Sequence, residues 1–361
     1  MQISKSCIIT FSAIIVLSCR KDKAEIVEYD PTSYSLNYTN NTLPNPDLPA
    51  DNPLTVAKVE LGRMLFYETQ LSLDNSISCA SCHVQEVGFS DKHTLSFGVD
   101  QTLGKRQAMP VFNLAWHSNG FFWDGRAELL RHQSLLPIQD AFEMKETLAH
   151  VISKLDHLGD YHNQFIRAFG SSEITAVKMS LALENFMMSI ISDDSKYDRY
   201  LMGLETLSES EERGRQLFFA EYNPAFPLET GADCAHCHAG NNFENDQYMN
   251  NGLDAEVDIS DNGRQNATGN PADNGKFKVP SLRNIEVTGP YMHDGRFTTL
   301  EEVVDHYNSD VKNSNSVDPA LLFTSSTGLM LDEQEKTDLV NFLKTLTDYT
   351  YLTNPAYQSP F

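Results

Sequence analysis

The 361-residue chain has no internal apolar run approaching the ~20 residues of a membrane span, so no integral helix is expected beyond its first residues. Positive charge is scarce. Lys and Arg number 27 against 50 Asp and Glu, a net charge of −23 at pH 7. That surface repels a phosphate backbone, so no nucleic acid is expected as a partner. It would steer a small cationic redox protein inward, and it serves plain solubility equally well. Sustained period-2 alternation is missing, which argues against a sheet-based fold. Spare cysteine is missing too. Of six, Cys7 and Cys19 lie near the start and four fall in two short runs, leaving none for a structural disulfide. Hydrophobic residues (40%) and aromatics (10%) can still build two cores, and the length suits two domains.

The two runs are Cys79-Ala80-Ser81-Cys82-His83 and Cys234-Ala235-His236-Cys237-His238. Each has the form of a c-type haem attachment site. Two thiols one helical turn apart can add across the two vinyl groups of one haem, and the adjacent imidazole reaches the iron. A zinc knuckle would need about four converging N/S ligands. A redox Cys pair has no need of the trailing His. Two covalently bound haem c groups are therefore expected.

The surroundings repeat as well. Gly62-Arg63-Met64-Leu65-Phe66 precedes the first run, and Gly214-Arg215-Gln216-Leu217-Phe218 precedes the second. Pro110 to Asn113 and then Asp124-Gly125-Arg126 follow the first; Pro280 to Asn284 and then Asp294-Gly295-Arg296 follow the second. Two copies of roughly 150 residues are a tandem duplication, not a solenoid.

Residues 1–18 read as an export signal: Lys5, then an apolar stretch from Ile8 to Leu17. The ending Val16-Leu17-Ser18-Cys19 looks like a lipobox, which would make Cys19 a lipidated first residue and place the chain on the periplasmic side of a bacterial envelope. An ordinary signal peptide with an incidental Cys is the alternative. Residues 19–50 read as a flexible tether. Helical periodicity marks 54–68, 148–155 and 174–190, with capping boxes at Ser208/Glu211, Thr298/Glu301 and Asp332/Glu335. Segments 84–122 and 239–290 read as loops wrapped over the haems. The expected fold is mainly α, two tandem cytochrome c-like haem domains at 51–205 and 206–361.

With these motifs the chain resembles the bacterial dihaem cytochrome c peroxidases and the related MauG-type enzymes, from about residue 53 to 348. The resemblance rests on the two CxxCH runs, Gly88-Phe89-Ser90-Asp91, Phe122-Trp123-Asp124-Gly125-Arg126, Pro280-x-Leu-Arg-Asn284 and Pro290-Tyr-Met-His-Asp-Gly-Arg296. It implies peroxide reduction at the N-terminal haem, held by Cys79, Cys82 and His83. Electrons would enter through the C-terminal haem, held by Cys234, Cys237 and His238. It assigns Gln133 to orienting peroxide and Glu143 to moving a proton between the peroxide oxygens. Phe122 and Pro137 would line the pocket, with Trp123 between the haems. Calcium would sit on carbonyls at Gln107, Thr288 and Pro290, although Gln107 replaces the usual Asn.

Two positions depart from the peroxidases. Their distal His ligand aligns with Val99, which cannot bind iron, so the first site is expected to be open from the start; His93 and His117 lie nearby but off register. Their Met ligand to the second iron aligns with Tyr307, which the MauG branch also carries. Met292, Met330 and His306 are the alternatives. The implied function is reduction of H2O2 with electrons from a small cytochrome c or cupredoxin, with a homodimer allowed. A MauG-like oxidase acting on a partner protein is the second reading, and a non-catalytic electron-transfer cytochrome the third.

Overall fold

A computed structural model describes residues 26–361 except 37, 40, 41, 224 and 226–229. The expected signal peptide and lipidated Cys19 lie outside the described residues. No described helix is long and apolar enough to cross a membrane.

The chain is helix-rich. Its first half carries α1 (Val56–Tyr67), α2 (Cys79–Cys82), α3 (Leu130–Gln133), α4 (Leu136–Gln139), α5 (Leu148–Asp156), α6 (Gly159–Phe169) and α7 (Ala176–Ser189). The second carries α8 (Lys196–Leu201), α9 (Glu209–Phe219), α10 (Gln265–Thr268), α11 (Leu300–Asp305), α12 (Thr324–Thr327) and α13 (Glu333–Lys344). Among the described residues, strands are limited to β1 (Tyr248–Met249) and β2 (Phe277–Lys278), paired antiparallel. Both long loop segments are largely irregular, as their Gly, Asn and Pro content dictates.

The repeated sequence blocks do the same work twice. A Cβ on Gly62 would stand 2.0 Å from the Ala182 carbonyl oxygen, and one on Gly214 would stand 1.9 Å from that of Asp338. Glycine thus lets α1 approach α7, and α9 approach α13, at backbone contact. Phe66 and Phe218, four residues on, are buried at the centres of two separate apolar cores. Asn113 and Asn284 both adopt left-handed backbone, φ 51° and 60°, which Asn tolerates better than most residues. They meet at Ser192. Asn113 Nδ2 donates to the Ser192 carbonyl at 2.9 Å, and Asn284 Nδ2 to its Oγ at 2.9 Å. The two motif asparagines therefore tie the halves together.

Four boundaries differ from expectation. Tyr197 packs edge-on against Phe342, ring centres 5.2 Å apart, and Asp198 forms a buried ion pair with Arg283. So α8 belongs to the second core, and the change of core falls between Ile190 and Tyr197 rather than near 205. The C-terminal residues Tyr351, Leu352 and Tyr357 return to the first core, although they fall in the expected second domain. There Gln85 Nε2 donates to the Tyr351 carbonyl at 2.8 Å and the Tyr67 hydroxyl to that of Tyr357 at 2.7 Å. The described part of the expected tether is fastened down: Tyr34 N donates to Leu54 O at 3.1 Å, Val56 N to Thr32 O at 2.9 Å, and Trp116 Nε1 to Pro44 O at 2.7 Å. Its buried Thr42 and Leu43 supply the apolar and polar contacts that a free linker lacks. Finally, the box expected at Thr298/Glu301 sits one residue later, at Thr299/Glu302; the other two form as expected.

Candidate active site

A cavity of about 710 Å³ opens in the first half and reaches towards β2. One wall is α2, a single turn started by Ser78, whose N–H bonds Ser81 Oγ at 3.0 Å. That turn presents Cys79 and Cys82, with His83 directly after it, all facing the cavity. His83 Nδ1–H donates to the Phe89 carbonyl at 3.1 Å, which leaves Nε2 free to bind a metal. Burial lowers the His83 pKa and keeps the ring neutral.

The second motif is built alike. His238 Nδ1 donates to Pro280 O at 3.1 Å and Phe243 O at 3.3 Å, and burial pushes its pKa down to about 4. All four thiols are free of disulfides. Burial pushes Cys79, Cys234 and Cys237 up to about 12, and Cys82 to about 11. Thiols so held are poor thiolates, which speaks against a redox pair or a preformed zinc site. Half-buried thiols free of disulfides beside an oriented neutral imidazole, at the first motif lining a partly apolar cavity, suit a covalently attached haem.

Gln133, Pro137 and Glu143 line the same cavity, with Phe122 and Trp123. Gln133 ends α3, and Pro137 stands in the first turn of α4. The short α3 is anchored by Arg131, whose Nε donates to the buried Glu184 at 3.1 Å while its outer nitrogens grip Asp51. Glu143 follows α4 in a turn. Its N–H donates to Asp140 O at 3.1 Å, and its carbonyl accepts from Val99 N at 2.9 Å. Burial, aided by the Asp140 charge and opposed by Arg126, pushes its carboxyl up to about 7. The Arg126 guanidinium lies 3.6 Å over the Phe122 ring.

Trp123 is buried and joins the halves. Its Nε1–H donates to Gln107 O at 2.8 Å, and its carbonyl accepts from Lys278 N at 2.7 Å. Gln107 N–H donates in turn to His293 O at 2.8 Å. Of the expected calcium positions, Thr288 and Pro290 are buried on that neighbouring segment. The Gln107 side-chain amide is engaged by Ser90 Oγ and Asp91 O, both at 3.1 Å.

Val99 is 2% exposed and stands behind Glu143 rather than in the cavity wall. His93 bonds Asp91 at 2.8 Å, is half-exposed, and is likewise outside the wall. His117 does line the cavity, where burial lowers its pKa to about 4. With Glu244 and Asp246 it forms a cluster that sequence reasoning missed, because His117 lies more than a hundred positions from the other two. Lys278 already pairs with Asp246 there.

In the second half, Tyr307 follows His306 in a π-helical turn (His306–Asp310). Burial raises its pKa; an Asn251 hydrogen bond opposes this, and Cys237 and Cys234 nearby add to it. Asn251 Nδ2 lies 3.4 Å from the Tyr307 hydroxyl and 3.3 Å from Met292 Sδ. Met330, the other expected alternative, is 59% exposed. Cys237 Sγ lies 3.4 Å from Met249 Sδ, a neighbour that sequence reasoning also missed.

A family profile described as di-haem cytochrome c peroxidase matches residues 56–206. The chain is 37% identical over 300 residues to the methylamine utilization protein MauG of Methylorubrum extorquens, covering 82% of this chain and 80% of that one. It is 33% identical over 301 residues to the cytochrome c551 peroxidase of Nitrosomonas europaea, covering 82% of each. Among solved structures, a MauG-like protein associated with microbial copper homeostasis matches with a TM-score of 0.82 and 32% identity, over 91% of this chain and 99% of that one.

Proposed function

Because this chain belongs to the di-haem cytochrome c peroxidase family, we propose that it is a c-type peroxidase that reduces H2O2 to water with two electrons from a small donor protein. Family membership makes it an oxidoreductase carrying two haem c groups. Cys79, Cys82 and His83 would hold one haem; Cys234, Cys237, His238 and Tyr307 would hold the other, in two tandem haem domains. Bound there, the haems supply the electron transfer that peroxide reduction requires.

One observation carries the reading. Glu143 is half-buried and lines the cavity of the first CxxCH motif, with its carboxyl raised to about 7. A carboxyl poised at neutral pH can both accept and return a proton. In this reading Gln133 orients peroxide by hydrogen bonding. The Glu143 carboxylate takes the proton from the inner oxygen and returns it to the outer one, which leaves as water. Two protons and two electrons per H2O2 then give two waters. Phe122 and Pro137 shape the pocket and limit water. Trp123 relays electrons, supported by its position between the cavity and β2. A carrier cytochrome needs no carboxyl of raised pKa in the cavity of its CxxCH motif.

The lipid anchor at Cys19, the periplasmic location, a homodimer, and calcium on carbonyls at Gln107, Thr288 and Pro290 belong to the same proposal. The second reading, a MauG-like oxidation of a partner protein, is favoured by Val99 and Tyr307 and by the 37% identity to a MauG protein. Steady-state consumption of H2O2 with a panel of reduced cytochromes and cupredoxins decides between them. Rapid turnover with such a donor supports the peroxidase; peroxide consumption only in the presence of an oxidisable partner protein supports the second reading.

A further inference from the structure

We infer that Asn251 is the positioning residue that sets the ligand field of the second haem, by donating a hydrogen bond to the Tyr307 oxygen. This rests on the reading of Tyr307 as the sixth ligand.

The three side chains nearest to that role, Met292, His306 and Tyr307, all touch Asn251. The His306 Nε2–H donates to the Asn251 carbonyl at 3.1 Å, so that nitrogen carries a proton and is closed to a metal. One Asn251 amide hydrogen points to Met292 Sδ at 3.3 Å, the other to the Tyr307 oxygen at 3.4 Å. Among the described residues no other hydrogen bond reaches that oxygen. A phenolate oxygen has more than one lone pair, so it can bind iron and still accept from Asn251.

Asn251 is itself held rigidly. Its neighbour Asn250 is buried and bonded through its side chain to Ser314 Oγ at 3.1 Å and Ser316 Oγ at 2.9 Å. The Asn250 backbone carbonyl accepts from Asp318 N at 2.9 Å, and its Oδ1 accepts from Gly252 N at 2.9 Å. The backbone is therefore fastened on both sides of Asn251. Tyr307 is placed by the π-helical turn, a local widening that re-aims side chains and recurs at functional sites.

The chemical consequence has a sign. A donor to a ligating phenolate draws negative charge away from the iron. It weakens the preference for the ferric state and raises the potential relative to a bare phenolate. Axial ligands and the hydrogen bonds around them are the protein's main levers on haem potential.

The test uses the purified protein with both haems attached, comparing wild type with Asn251→Asp, Asn251→Leu and Tyr307→Phe. Leu removes the donor at similar volume without adding a charge, whereas an ionised Asp keeps the shape of Asn but also lowers the potential by its own charge, so Leu isolates the hydrogen bond and Asp controls for packing. The readouts are the ferric absorption spectrum and the second haem's reduction potential. Both Asn251 variants should lower the potential, by about a tenfold change in the ferric-to-ferrous ratio, or about 59 mV for one electron. Tyr307→Phe should raise it. If Tyr307→Phe changes the spectrum while Asn251→Leu leaves the potential in place or raises it, the role of Asn251 is overturned and Tyr307 stands as ligand. If Tyr307→Phe changes nothing, the ligand reading fails, and the inference with it.

Discussion

Replacing Glu143 with Gln keeps the volume and most of the hydrogen-bonding capacity of the side chain but removes its titratable proton. Burial is the main force holding the wild-type carboxyl near pKa 7. About half the molecules then carry the carboxylate at pH 7, and about a tenth at pH 6. If the carboxylate takes the first proton from peroxide, kcat/KM for H2O2 should fall about fivefold between pH 7 and 6. In Glu143→Gln that acid limb should vanish, and the rate at pH 7 should drop by roughly 10²–10⁴-fold, the usual worth of one general acid–base group. The limb should also move predictably. Asp140 helps hold the pKa up, so Asp140→Asn should shift the limb to lower pH. Arg126 opposes it, so Arg126→Leu should shift the limb higher. Stopped-flow mixing with H2O2 across pH 5–8 is the assay. A Gln variant within about threefold of wild type, or one that keeps the acid limb, would refute Glu143 as the proton shuttle.

The fully oxidised protein should react with H2O2 without prior reduction, because Val99, which the family register aligns with the peroxidases' distal His, cannot bind iron and lies outside the cavity wall; a reaction that waits for one-electron reduction would point to His117, which lines that wall. Mass spectrometry should find two haems added to the chain, and full double attachment in Cys82→Ala or Cys237→Ala would contradict the thioether assignment. Gly62→Ala and Gly214→Ala should each destabilise the fold by about 1–3 kcal/mol, because the new methyl meets a backbone carbonyl that cannot move aside; unchanged melting temperatures would remove the close-approach argument. The mature chain should begin at a lipid-modified Cys19, and an unmodified N-terminus in a soluble extract would rule that out.

Local chemistry was legible in the sequence. The attachment runs, the Ser208 and Asp332 caps and the repeated blocks depend on neighbours within a few residues, and all lie where the order of residues places them. The repeat itself was readable, but not the reason its glycines are glycine, which is a carbonyl on a helix 120 or more positions away. The cap at Thr299 was missed by one residue because two consecutive threonines offer the same side chain. Asn251 sits in an Asn- and Gly-rich loop where one amide looks like the next; only the fold brings it against Tyr307. The cluster of His117, Glu244 and Asp246 was hidden for the same reason.

The return of the C-terminus to the first core has a consequence for the order of events in folding. Phe89, whose carbonyl orients His83, lies against the rings of Tyr351 and Tyr357, with centres 6.2 and 6.4 Å away. Tyr67 reaches Tyr357 across 290 positions and Arg63 reaches Pro355 across 292. The entropy of closing so long a loop grows only logarithmically, about 0.6 kcal/mol per doubling, far less than two buried tyrosines return. The equilibrium cost is therefore small, but the kinetic one is not. A ribosome delivers Tyr351 and Tyr357 long after the rest of that core, so the nascent N-terminal half emerges with the Phe89 side of its core, which orients His83, unsealed. It must remain soluble in that state until the segment from Tyr351 to Tyr357 is made, and a chain cut before Tyr351 would share the defect of a half-made one.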